Sequence, residues 1–158
     1  METIEKSIEV NCPVRSVYDQ WTQFESFPLF MEGIKAVRQL DDRHLEWHAE
    51  IAGRGKAWEA EIIEQEPDQR IAWRSTSGTT NNGVVSFEAV DPEHTRVTLT
   101  MNYEPEGTAE KIGDALGVVS LRVAGDLKRF KQCIEKRTTP PQGWRGEVAD
   151  GQVNPPVV

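Results

Sequence analysis

The residues of this chain whose types and places could do chemistry are its three histidines, a group of glutamates, Ser120 and the two cysteines. An acid–base enzyme needs titratable groups converging on one cavity face. His44 and His48 share a parity with Glu46 and Glu50, and it is opposite to that of Trp47, so strand alternation turns both imidazoles outward. His94 falls in a turn. Glu59 and Glu61 take the outer parity as well, and with Glu46 and Glu50 they form a solvated face that resists edge pairing. Arg74, outward beside Trp73, is expected to pair across strands with one of these glutamates. Glu64 is the one carboxylate in phase with Trp58 and Ile62, at a strand end where alternation can fail. Ser120 has no histidine partner, which argues against nucleophilic catalysis. There is no Gly-rich phosphate loop, and Cys12 and Cys133 lack metal-ligand spacing. The sequence therefore assigns no catalytic residue, metal or cofactor.

The stronger signal is apolar. Trp47, Trp58 and Trp73 fall on the inward parity of three successive strands, together with Phe87 and Met101. Opposite them, residues 108–137 carry Ile112, Leu116, Val119, Val123, Leu127, Phe130 and Ile134 at spacings of three and four, one stripe of a long amphipathic helix. Beside the stripe runs a small-residue flank of Gly113, Gly117, Ser120 and Ala124. Each helix-interior glycine costs about 1 kcal/mol relative to alanine. Such a flank either admits another backbone closely or leaves room for a ligand. Val118 and Leu121, off the stripe, are compatible with plain exposure, a dimer contact or the lip of a ligand entrance, so the chain is a monomer or a homodimer on this reading.

These residues need a sheet and a helix to position them. Ile4, Ile8 and Val10 alternate as a first strand, broken by Asn11-Cys12-Pro13. Asn11 is a candidate helix cap for Val14, Val17, Tyr18 and Trp21, which follow at helical spacing. A second short helical piece is expected over 25–31, ended by Gly33. From Ile34 to Tyr103 about six alternating strands follow, separated by turns at Asp41-Asp42, Gly53-Arg54-Gly55, Pro67-Asp68, Gly78–Gly83 and Asp91-Pro92. This is an antiparallel sheet with one wet and one covered face. The segment 34–40 alternates poorly, as an edge strand or a bulge would. Only the stripe of the last helix can cover the sheet, which twists around it. The division is one domain, 1–137, and a Pro/Gly-rich extension, 138–158, expected to be flexible, with Trp144 as its one adhesive residue.

The 158 residues carry a net charge of −8, which excludes a phosphate backbone as partner and disfavours anionic membranes. No run has transmembrane length, and the first residues do not read as a signal peptide. Two lone cysteines fit a reduced, cytoplasmic setting.

The wording Ile4-Glu5-Lys6-Ser7-Ile8-Glu9-Val10, Pro13-Val14, Val17-Tyr18-Asp19-Gln20-Trp21, Phe24-Glu25-Ser26-Phe27-Pro28-Leu29-Phe30-Met31, Arg70-Ile71-Ala72-Trp73-Arg74-Ser75 and Tyr103-Glu104-Pro105 with Gly107 resembles the SRPBCC superfamily. It is closest to the bacterial polyketide cyclase/dehydrase, coenzyme Q-binding-like members. The resemblance covers residues 3–137. It implies an α+β helix-grip fold, as in START domains and the birch-pollen allergen family: a curved antiparallel sheet wrapped around a long C-terminal helix. It also implies a ligand pocket between helix and sheet, with Phe27, Phe30 and Met31 near its mouth and Trp47, Trp58, Trp73, Phe87, Met101, Leu116, Gly117 and Ser120 along it. Three functions follow as expectations. The first is carriage of a small hydrophobic molecule, be it a lipid, an isoprenoid quinone or an aromatic polyketide. The second is a polyketide cyclase/dehydrase-type enzyme. The third is an interaction module with a vestigial cavity.

Overall fold

Alternating residues build the sheet and helical spacing builds its cover. The computed structural model describes residues 2–51, 53–78, 81–103, 109–149 and 152–156; the side chains of 2, 51, 103 and 109–119 lie outside that description. The elements are β1 (Glu2–Val10), α1 (Val14–Trp21), a 3-10 helix (Phe24–Leu29), β2 (Ile34–Gln39), β3 (His44–Ile51), β4 (Arg54–Glu66), β5 (Arg70–Gly78), β6 (Asn81–Asp91), β7 (His94–Tyr103), α2 (Ala109–Glu135), β8 (Glu147–Ala149) and β9 (Gln152–Asn154). The strands run β1-β7-β6-β5-β4-β3-β2, all antiparallel, with β8 beside β4 and β9 beside β8. The expected helix-grip arrangement is the observed one. β2 is an edge strand, as β1 is at the other end, and it carries the irregularity foreseen for it between Ile34 and Ala36.

The core forms where the apolar parity of the sheet meets the stripe of α2. Ile62, Ile71, Val85 and Val97 from the strands are buried with Val123, Leu127, Phe130 and Ile134 from the helix. Tyr18, Trp21, Phe24 and Phe27 plug the end of this layer from α1 and the 3-10 helix. Edge-to-face ring pairs tie these elements together: Trp21 to Phe130 at 4.9 Å and Phe30 to Phe130 at 5.3 Å.

Three expectations need correction. Asn11 does not cap α1: Pro13 holds that position without a side-chain bond, and the Asn11 amide donates to the Glu135 carboxylate at 2.9 Å. Proline fixes φ of the residue that enters the helix and offers no capping side chain. Glu64 does not face inward. A register shift between Ile62 and Glu64 reverses the parity, Glu64 pairs with Arg70, and Gln65 takes the buried place at 1% exposure. The extension beyond residue 137, expected to be flexible, is docked in its described part. Val148 pairs with Gln65 and is fully buried, and Trp144 packs against the core. Any side chain at Gly143 would collide with the Asp19 backbone, so glycine is what lets the chain lie against α1.

Arg145 clamps this extension. Its guanidinium donates to Asp19 at 2.5 Å and Asp68 at 2.7 Å, and Asp19 is nearly inaccessible. Removing the cation leaves the buried Asp19 carboxylate with the largely exposed Arg15, 3.8 Å away, as its remaining ion-pair partner among the described residues. Arg145→Met should therefore lower unfolding free energy by about 2 kcal/mol in urea titration and make residues 138–158 susceptible to limited proteolysis.

Candidate ligand cavity

The inward tryptophans do not fill the space between sheet and helix. They wall a cavity of about 120 Å³. For scale, an apolar cavity of about 150 Å³ holds a benzene ring. Trp47 and Trp58 are cross-strand partners on β3 and β4, and their rings stack at 5.7 Å with an interplanar angle of 7°. Trp73 from β5 lines the next stretch, its indole N–H donating to Asn81 Oδ1 at 3.2 Å. Leu45, Ile62, Ile71, Leu99 and Met101 complete the sheet wall, and Val123 and Leu127 form the helix wall. Trp21, Phe24, Phe27 and Met31 close one end.

The solvent side is polar. Glu32, Gly33, Arg122 and Asp126 line it, and Glu32 is 70% exposed. Three side chains spaced i, i+4 and i+7 along one stripe of α2 tie this rim together: Asp126 and Arg129 hold the segment joining the 3-10 helix to β2, and Arg122 reaches β3. Arg129 Nε donates to the Phe30 carbonyl at 2.8 Å. Asp126 Oδ1 accepts from the Glu32 amide at 2.9 Å and from Arg129 at 2.5 Å. Arg122 Nη1 donates to the Glu50 carbonyl at 2.6 Å and occupies the place a side chain on residue 33 would need. Gly33 also has φ +88°, so both sterics and backbone demand glycine at this rim.

Burial pushes the Asp126 carboxyl up to about 6 from an ordinary value of 3.8; the Arg129 bond, the Glu32 amide and the nearby Arg122 offset this only in part. The folded protein thus binds this proton more tightly than the unfolded chain does. The group's stabilising contribution is fully present below pH 3.8 and is lost as pH rises through about 6. Asp126→Asn should remove that falling component from the pH dependence of stability measured by urea titration, leaving the opposite contribution of lowered carboxyls such as Asp41 and Asp91. An unchanged slope in the variant would place the titration elsewhere.

Among the residues expected along the pocket, Trp47, Trp58, Trp73, Met101, Phe27 and Met31 are brought together around the cavity. Phe30 and Phe87 are not. Phe30 is buried beneath the rim against Phe27 and Phe130, and Phe87 packs on Tyr18 at 5.3 Å. Ser120 is partly exposed and outside the described lining. The side chains at Leu116, Gly117, Gly113 and Val118 fall outside the described residues, and Leu121 is 78% exposed. The sequence reading missed Arg122, Asp126 and Glu32. The spacing of Arg122, Asp126 and Arg129 was a readable polar stripe, but its partners lie 72 to 99 residues away along the chain. His44, His48 and His94 stand outside, paired with Asp41, Glu46 and Asp91. Arg74 lies 3.5 Å from Glu61, the cross-strand pair expected of it.

A family model described as polyketide cyclase/dehydrase and lipid transport matches residues 10–132. An uncharacterised 17.2 kDa protein of Streptomyces lincolnensis is 46% identical over 149 residues, covering 94% of this chain and 99% of that one. Among solved structures, the Zhui aromatase/cyclase from a Streptomyces species superposes with a TM-score of 0.74 at 17% identity, covering 87% of this chain and 96% of its own. A START superfamily protein from Mycobacterium smegmatis gives 0.71 at 16% identity, covering 85% and 97%. At these identities the two structures speak to the fold.

Proposed function

The chain belongs to the polyketide cyclase/dehydrase and lipid transport family, and from that premise we propose that it binds and carries a small, mainly apolar molecule between sheet and α2. The observation that carries this reading is the cavity itself: large rigid indole walls from Trp47, Trp58 and Trp73 around space that the core does not fill. Closed, it is of the scale of one aromatic ring, so a longer lipid, isoprenoid quinone or fused-ring polyketide would extend through the polar rim. Phe27 and Met31 would seal the apolar end. Cytoplasmic residence belongs to the same proposal, since Cys12 and Cys133 are free thiols. Among the described residues no helix is long and apolar enough to cross a membrane.

The test is titration with the uncharged fluorophore N-phenyl-1-naphthylamine, together with solvent extraction of protein purified without denaturant. Saturable binding of one equivalent, or recovery of an apolar molecule, supports carriage. No binding and no extract would leave only an interaction module with a vestigial cavity.

A second reading has a specific observation behind it. An enzyme needs at least two polar side chains converging on the cavity, and Arg122 and Asp126 do so at the rim. A carboxyl raised to about 6 can exchange protons near neutrality. Turnover of a polyketide-like substrate that is abolished in Asp126→Asn without loss of binding would favour cyclisation or dehydration over carriage.

A further inference from the structure

The polar groups on the cavity wall include both acceptors and donors. Asn81 Oδ1 accepts from the Trp73 indole, Asp126 Oδ1 accepts from the Glu32 amide and Arg129, and the exposed Glu32 carboxylate lies 3.7 Å from Arg129. Two donors stand out as uncommitted. Arg122 spends one N–H on the Glu50 carbonyl, and among the described residues its fork has no ion-pair partner within 4.0 Å. The Trp47 indole N–H is buried and has no acceptor among the described residues. An inaccessible donor left unmade costs the desolvation of that group, so a ligand supplying an acceptor recovers it. Charge narrows the choice further. The rim holds Arg122 and Arg129 against Glu32 and Asp126, so its four charges already balance and an added carboxylate would give the rim a net negative charge.

We infer that Arg122 is a specificity-determining residue, selecting ligands that present an uncharged hydrogen-bond acceptor, such as a ring carbonyl, at the rim of the cavity. The inference rests on the carrier reading and adds to it the chemistry of the ligand's polar end. Trp47, which also lines the cavity, supplies a second donor for the ligand. Arg122 touches the ligand directly here, in contrast to Arg129, whose donors are taken by Phe30 and Asp126.

Matched probes of one-ring scale test it: indane, 1-indanone and indane-1-carboxylate share a body and differ in the polar group. Isothermal titration should show that Arg122→Met weakens 1-indanone about tenfold while indane changes by less than about twofold. Arg122→Lys, which keeps a cationic donor, should recover part of the loss. Trp47→Phe, which keeps a ring in the stack but removes the N–H, should also weaken the ketone selectively. The carboxylate should bind the wild type more weakly than the ketone at neutral pH. Circular dichroism melting of each variant guards against misfolding. Equal loss of indane and indanone in Arg122→Met, without recovery in Arg122→Lys, would show that Arg122 only holds the rim closed and would overturn the inference. Tighter binding of the carboxylate than of the ketone would overturn it too. If neither hydrocarbon nor ketone binds the wild type, the cavity reading itself falls, and the inference with it.

Discussion

Phe130→Ala should cost about 3–5 kcal/mol of stability, with a fall of about 10 °C in Tm. Phe130 is fully buried at the point where α2 meets both the plug and the sheet, and its ring lies edge-on to Trp21 and Phe30. Truncation removes the transfer free energy of the ring and leaves a void that rigid aromatic neighbours cannot close. The residue lies outside the described cavity lining, so any ligand should still bind the folded fraction. Urea titration read by tryptophan fluorescence gives the stability, and N-phenyl-1-naphthylamine binding below the transition gives the retained site. A loss under 1 kcal/mol would mean that this end of the helix is not packed as described.

Val123→Phe should do the reverse: abolish ligand uptake by about a hundredfold while leaving Tm nearly unchanged. Val123 lies about two helical turns before Phe130 on the same stripe, and with Leu127 it lines the cavity rather than the packed end. A larger side chain there enters space that is already open, so overpacking strain is small and added apolar contact offsets it. The two substitutions thus divide one stripe by function. Phe130 pays for the fold, whereas Val123 leaves room. Retained binding with a large loss of stability in Val123→Phe would show that this wall is tight core.

The sequence made the strands and their faces legible because alternation is a local property. Leu45, Trp47 and Ala49 against His44, Glu46 and His48 sort as the residue pattern demands. The bulge in β4 was not legible, because it depends on how β4 registers with β5, and it moved Glu64 out and Gln65 in. Phe30 and Phe87 show a second limit. Periodicity tells which side chains face inward, but whether an inward ring meets a cavity or another ring is settled by tertiary packing. The rim was hidden for a related reason. Arg122, Asp126 and Arg129 look like ordinary solvated helix charges until the loop after the 3-10 helix is folded over them. The docked extension was the largest miss: its proline and glycine content read as freedom, while Gly143 and Arg145 serve close approach and clamping.

The central claim is that an apolar molecule enters the space walled by Trp47, Trp58 and Trp73. The chain contains five tryptophans, and Trp144, in the docked extension, lies outside the described cavity lining. Indole N–H resonances in a ¹H–¹⁵N NMR titration with indane therefore report location directly. The account predicts saturable shifts for Trp47, Trp58 and Trp73, none for Trp144, and none for any indole in Val123→Phe. Static signals for the three wall tryptophans under saturating indane, or shifts confined to Trp144, would contradict it.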